Sequence, residues 1–408
     1  MNFDDTAEEA GYRAQVRDWI AANRIALPQT RRRRDATPEW LALARQWQRI
    51  KADAGYVGIA WPRAWGGHEG TVAQALIFDQ EEAAAGLHFP YFEIGIGLCV
   101  PTVASFADQA TIDRMAPPAM RGDEIWCQLF SEPSVGSDLA GVRTRAVPDG
   151  DDWIVDGQKV WTTGGQFSDF AILLTRTNPD VPKHRGMTMF WLDMRTPGVE
   201  VRPIRQMSGF ANFNEVFLSG VRIPDTQRLG AVDAGWGTAM TTLMNERVSI
   251  GDVGGPDIAA AIRLARATPG RFGTAADHPA TRNAIVEHHI RYEGVRLTRS
   301  RLLTAVSRGE KPGPENAITK LVTANEMQGL ARDTLLSRGP MGMVMERGDD
   351  VAEGIFHDSF TWAPGYRIAG GTDEILRTVI AERVLGLPAE PRADKTAPFR
   401  ARTESRDA

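Results

Sequence analysis

The sequence predicts an α+β protein in which a helical region, a β region and a second helical region follow one another along the chain. Three observations carry this. Apolar residues recur at helical spacing up to about Arg121, short strand-like runs fill Ile125 to about Leu229, and helical spacing returns after Gly230. This order excludes the alternating strands and helices of a Rossmann dinucleotide site, so any nucleotide must be held by other means. The divisions fall at 1–124, 125–230 and 231–390, followed by a tail at 391–408.

In the first region the helical spacing is seen in Val16, Trp19 and Ile20, then in Trp40, Leu41, Leu43, Ala44 and Trp47. The stretch "WPRAWGG", Trp61 to Gly67, breaks it. The β region consists of "DWIVDGQKVWTT", "FAILLTRT", "GMTMFWLDM" and "NEVFLSGVRIP", separated by turn-forming residues, and Asp156-Gly157 is the expected hairpin turn. An antiparallel β domain is expected from runs of this length and type. Met240, Leu243, Met244 and Val248, then Ile318, Leu321, Val322, Met327 and Leu330, predict a C-terminal helical bundle. Pro388 ends its last helix, and the polar residues 391–408 predict a flexible tail.

Composition narrows the function. A chain of 408 residues, 42% apolar, can bury a sizeable core. Its net charge of -5 offers no footprint for nucleic acid, and the basic run Arg31 to Arg34 reads as a solvated segment. No apolar stretch has membrane length and the N-terminus is acidic, unlike a signal peptide, so a cytoplasmic protein without a membrane partner is expected. Cys99 and Cys127 stand apart and read as small buried residues, with no disulfide or zinc site. His288 and His289 form no recognisable metal set and read as packing or surface residues; no metal is expected.

Three motifs suggest a ligand site. In "WCQLFSEPSVGSDLAGVRTRA", Trp126 to Ala146, the residues Ser131, Gly136 and Ser137 supply hydroxyls and close-approach amides while Pro133 stiffens the bend. In "GQKVWTTGG", Trp161 and Thr163 share strand parity, which sets an indole and a hydroxyl on one side. An aromatic plane beside a donor suits a flavin ring, although a strand tryptophan also serves as core. In "AGGTDEILRTVIAERVLGLP" a glycine pair and threonine precede a helix whose first amides suit an electron-rich group, although an ordinary loop-to-helix junction has the same pattern.

Taken in order, these motifs, with "GIAWPRAWGG" before them and "FNEVFLSGVRIP" between, make the chain resemble the acyl-CoA dehydrogenase family over nearly its full length. The resemblance implies a helical domain, a β-barrel-like domain and a C-terminal four-helix bundle enclosing FAD and an acyl-CoA thioester. It implies flavin contacts from Gln128, Phe130, Ser131, Gly136, Ser137, Trp161, Thr162 and Thr163, with the Thr163 hydroxyl at the N5 edge, and from Thr372 and Glu374 of the terminal turn, often across a subunit boundary. Ser137, Arg247 and Gly371 would contact the substrate. Electrons would pass to an electron-transfer flavoprotein, and the chain would form a homo- or hetero-oligomer, a dimer or tetramer.

Two departures matter. Many family members carry a catalytic glutamate just before the glycine and threonine of the terminal motif, where this chain has Gly370. A minority branch, similar to the isovaleryl-CoA dehydrogenases, carries it on a C-terminal-domain helix before an arginine, and "TLMNERVSIG" supplies Glu246 and Arg247 there. Leu243 and Ile250 lie one helical turn away, an apolar setting that raises a carboxyl pKa towards neutrality. The family's pyrophosphate-contacting arginine, in a segment like "ERKTFG", is replaced by Pro269 in "TPGRFG", with Arg271 two positions on. These departures look like bacterial paralogues that include mixed-subunit enzymes acting on bulky thioesters such as sterol side chains. A non-catalytic binding subunit and an acyl-CoA oxidase are the alternatives to a dehydrogenase.

Overall fold

The computed structural model describes residues 5–28, 36–249, 257–271, 273–307, 313–344, 351–389 and 397–400; the side chains of 246–249, 303, 306–307 and 351–353 lie outside that set. The basic run at 31–34 is likewise outside it. Two units are distinguished, one of Asp4–Ser249 with Pro391–Ala408, the other of Ile250–Glu390 with Met1–Phe3.

The first unit begins with helices α1 (Ala7–Asn23), α2 (Pro38–Asp53), α3 (Val72–Ala84), α4 (Val100–Phe106) and α5 (Gln109–Met120). Local chemistry sets their starts: Thr6 and Glu9 form a capping box, Thr71 and Gln74 another, and Thr37 caps α2 with Pro38 in its first turn. The apolar stripes of α1, α2 and α3, among them Val16, Ile20, Trp40, Ala44, Trp47 and Phe78, meet in one core. At the "WPRAWGG" break a short 3-10 turn, Arg63–Trp65, ends on Gly66 in the left-handed region, φ +79°.

Eight strands follow: β1 (Trp126–Leu129), β2 (Arg145–Asp149), β3 (Asp152–Thr163), β4 (Phe170–Arg176), β5 (Met187–Asp193), β6 (Val199–Ile204), β7 (Phe213–Pro224) and β8 (Arg228–Leu229). They form one sheet in the order β6-β7-β3-β2-β4-β5-β8, with β1 also on β4. Against a purely antiparallel expectation, β1 and β2 run parallel to β4. Every residue of β4 is buried because the strand is covered on both faces: Phe170, Ile172 and Leu174 join α4 and α5 in one core, and Ala171 and Leu173 join the sheet's own core.

The expected hairpin turn at Asp156-Gly157 is wrong. The β2–β3 register pairs Asp149 with Asp152, so the turn is Gly150-Asp151, with Gly150 at φ +64°. "VPDGDDWIVDGQ" contains two Asp-Gly pairs, and the second lies inside β3, where the register with β7 slips between Val155 and Gly157. A Cβ at Gly157 would lie 2.5 Å from the Thr144 hydroxyl, which explains that glycine without a turn.

Helix α6 (Gly235–Ser249) packs on β5 and α4, with Ala239 in the core they share. The second unit holds α7 (Ile258–Ala267), α8 (Pro279–Ser307), α9 (Asn316–Ser337), α10 (Val351–Ile368) and α11 (Asp373–Val379). Helices α7, α8 and α10 surround α9 over a core that includes Ala261, Leu264, Leu330, Ala331 and Phe356. Cys99 and Cys127 are both buried. No helix among the described residues is long and apolar enough to cross a membrane. Of the tail expected to be flexible, residues 397–400 are held: backbone bonds and a buried aromatic ring fix them to the 179–182 segment.

Candidate functional site

Two of the sequence motifs meet at the C-terminal end of β3. The Val160 amide of β3 donates to the Ser131 carbonyl at 2.9 Å, which sets the loop after β1 beside Trp161. The buried Lys159 ammonium donates to the Phe130 carbonyl at 3.1 Å and to Glu132 at 2.9 Å. Glu132 also accepts from the Arg143 and Thr144 amides at 2.7 and 2.8 Å. Burial alone would raise the Glu132 carboxyl, but Lys159 and Thr144 hold it below its usual range; burial likewise pushes the Lys159 ammonium down despite Glu132. The ion pair is therefore a rigid support under the loop.

Above that support β3 bulges. Its register with β7 slips between Lys159 and Thr162, and Trp161 takes φ +60°, a left-handed conformation uncommon for a bulky residue. The indole stands 58% exposed, edge-on to Phe213 with ring centroids 6.0 Å apart. Thr163 is exposed as well, whereas Thr162 is buried with its carbonyl accepting from Asn214. Trp161 and Thr163 thus face outward together, and the Thr162 side chain does not join them.

The loop itself is a tight turn in which the Glu132 and Val135 amides each donate to the other's carbonyl at 2.9 Å. Gly136 and Ser137 beyond it are exposed, and a Cβ at Gly136 would meet no atom within 4 Å, so packing within the chain does not require that glycine. Asp138 accepts from Lys183 at 2.8 and 2.9 Å. Phe130 is buried in the core and Gln128 is half-buried on β1. A planar heteroaromatic ring with polar edges fits this surface: an outward indole, an outward hydroxyl and an open glycine turn lie on supported backbone. The sequence reading missed the supports Lys159, Glu132, Asp138 and Lys183. Three of them stand inside the quoted motifs, but the partners are 27 and 45 residues apart.

In the second unit, Gly370 and Gly371 take φ +62° and +92°, two successive left-handed residues that only glycine adopts readily. Thr372 caps α11, accepting from the Ile375 amide at 3.2 Å. Lys320 donates to the Gly371 carbonyl at 2.6 Å, and buried Asp373 pairs with Arg367 at 2.7 Å. Glu374 is exposed, its carboxyl lowered by its own backbone amide and by Thr372. Arg271 is exposed in a small hairpin pairing Pro269–Gly270 with Gly273–Thr274. Glu246 and Arg247 fall in the last turn of α6, and their side chains lie outside the described residues.

Three family models match in sequence: acyl-CoA dehydrogenase N-terminal domain at residues 6–123, middle domain at 127–221 and C-terminal domain at 233–385. The chain belongs to the acyl-CoA dehydrogenase family. Among relatives of this oxidoreductase family, acyl-CoA dehydrogenase FadE34 of Mycobacterium tuberculosis is 36% identical across 94% of this chain, and acyl-CoA dehydrogenase IpdE1 of the same organism 35% across 93%. The chain spans half the length of FadE34 and 98% of IpdE1. Among solved structures, the Tcur3481-Tcur3483 steroid ACAD superposes at TM-score 0.80 with 26% identity, covering 96% of this chain and all of that one. The ChsE4-ChsE5 complex from Mycobacterium tuberculosis gives 0.79 at 26%, with the same coverage. The acyl-CoA dehydrogenase order of helical, β-sheet and helical domains is the order read from the sequence.

Proposed function

We propose that the protein is an FAD-dependent acyl-CoA dehydrogenase that converts a saturated acyl-CoA to the 2-enoyl-CoA and passes electrons to an electron-transfer flavoprotein in the cytoplasm. The observation that carries this reading is the Val160–Ser131 bond, which joins the loop to the strand that turns Trp161 and Thr163 outward. FAD, when bound, would accept the hydride that leaves the substrate β-carbon. Trp161 supplies a face for the ring, Thr163 a hydroxyl at its edge, and Ser131 polar contact from the loop. Gly136 and Ser137 leave room for the thioester end. Thr372 and Glu374 would approach a flavin from the terminal turn, and Gly371 the substrate.

Glu246 takes the α-proton as general base, with Arg247 beside the substrate; its support is the "NERV" pattern on α6 and the vacancy at Gly370. Bulky acyl groups are the first candidates, since a solved relative is named as a steroid ACAD. A mixed-subunit assembly is a second reading, favoured by the Pro269 substitution and by the ChsE4-ChsE5 complex among its likenesses. The test is anaerobic titration of the purified protein with short, long, branched and steroidal CoA thioesters. Bleaching of bound flavin by at least one supports the reading. Protein that takes up no flavin alone or with a related subunit contradicts it, and stoichiometric hydrogen peroxide in air would make it an oxidase.

A further inference from the structure

Arg176, the last residue of β4, is buried with its guanidinium edges committed to carbonyls: Ala140 at 2.6 Å, Lys183 at 2.7 Å and Val142 at 3.3 Å. One face of the guanidinium is covered by the Phe399 ring, its centroid 4.1 Å from Cζ. Phe399 comes from a polar C-terminal stretch with few apolar residues, yet it is itself buried. The backbone around it adds a short antiparallel rung to the sheet domain: the Phe399 amide donates to the Val181 carbonyl and the Arg400 amide to the Pro179 carbonyl, both at 2.9 Å, and Pro398 bridges Pro182. Arg400 also pairs with Asp180 at 3.1 Å.

The segment that receives this rung continues into Lys183, whose ammonium holds both oxygens of Asp138, the residue after Gly136 and Ser137. Ala140 and Val142, the other carbonyls on Arg176, follow on the same stretch. The rung and the ring contact therefore lead, through Lys183 to Asp138 and through Arg176 to Ala140 and Val142, to the stretch that carries the turn assigned above to the thioester.

The geometry points to Phe399 as a positioning residue: residues 397–400 form a strap that seals Arg176 and, through Lys183 and Asp138, fixes the Gly136-Ser137 turn for the CoA thioester. The role of that turn rests on the proposed function. The physical reason lies in competition with water. Burial pulls the guanidinium of Arg176 down to about 10, so it is a cation poorly hydrated and dependent on its carbonyl partners. Without the ring, water reaches the guanidinium and competes for those partners, and the 136–142 and 179–183 backbones lose a common anchor. Trp161 and Thr163 make none of the contacts described here, so the flavin-facing surface of β3 stays intact.

The test uses the full-length protein and the variants Phe399→Ala, Phe399→Tyr and Lys183→Met, read by amide hydrogen exchange and by the separate kcat and KM of the best thioester. Phe399→Ala is expected to speed exchange about fivefold or more over both 136–142 and 177–186, with β3 unchanged, and to raise KM at parent kcat. Phe399→Tyr restores both, because the aromatic face is kept. Lys183→Met loosens 136–138 while the Phe399 amide stays protected. The strap is refuted if Phe399→Ala loosens 177–186 alone with KM unchanged, or loosens the whole chain evenly. If no thioester binds, the functional reading fails, and the exchange pattern alone decides the strap.

Discussion

Trp161 carries a backbone conformation that its own side chain disfavours, with φ +60° in the middle of a bulge. Such strain persists where surroundings impose it, and it costs on the order of 1–3 kcal/mol. Trp161→Gly is therefore expected to leave the apoprotein as stable as the parent or more stable by about 1 kcal/mol, while weakening FAD binding; urea unfolding and flavin content measure the two effects. A parallel loss of stability and flavin would mean that the indole is core. Lys159→Met leaves Glu132 buried without its cation and is expected to destabilise by about 3–5 kcal/mol, with part recovered in the double variant with Glu132→Gln. His288, read from sequence as a packing or surface residue, sits buried between Glu326 at 2.6 Å and Asp333 at 3.0 Å, while Arg291 approaches Glu326 and Arg332 pairs with Asp333. The Glu326 hydrogen bond raises its pKa against burial, and Asp333 adds to the rise. Its contribution is thus full below the unfolded value, about 6.5, and lost as pH rises through the higher folded value. His288→Gln should lower unfolding stability most in mild acid, and the gap to the parent should close in alkali; a gap independent of pH would contradict the charged contact. That Trp161 and Thr163 share one side was legible because strand parity is a local property, but that this side faces outward was not, and His288 and Lys159 required knowing which distant carboxylates arrive.

At the scale of elements, β3 shows how one dipeptide can have two outcomes. Asp149-Gly150 makes the hairpin, while Asp156-Gly157 makes a bulge in which the Asp156 carboxylate accepts from the Gly220 amide at 2.7 Å. The sequence reading placed the turn at Asp156-Gly157 and passed over Asp149-Gly150, because both dipeptides have turn chemistry and only strand pairing decides which one reverses the chain. Gly157→Ala is expected to cost about 1–3 kcal/mol, since its Cβ would meet both the Thr144 hydroxyl and the Thr144 Cα. A thermal melt at the parent midpoint would show that the backbone at Thr144 can give way. The helical regions were legible because apolar periodicity is a local signal. The parallel pairing of β1 with β4, and the docking of 397–400, were not legible, because both join segments far apart in sequence.

For the whole molecule, the order of helices, sheet and helices was legible from periodicity alone, and the family from motifs in sequence. Assembly was inferred from the terminal turn, and the surface of the second unit adds a physical reason. Val286, Ile290 and Leu297 of α8 are spaced to share one helix face and are 54%, 63% and 40% exposed. Ile290→Glu is expected to shift the oligomer to smaller species in sedimentation and to lower FAD content with it, because a ligand held by the assembled form is lost with assembly. A flavin-loaded monomer would contradict this. The central claim is dehydrogenation with Glu246 as base, and the most direct measurement is the anaerobic rate of flavin bleaching by the best thioester in the parent and in Glu246→Gln. The amide keeps the volume and removes the base, so flavin content should be unchanged and bleaching slower by about a hundredfold or more. Bleaching at the parent rate in Glu246→Gln would show that the α-proton leaves to another group.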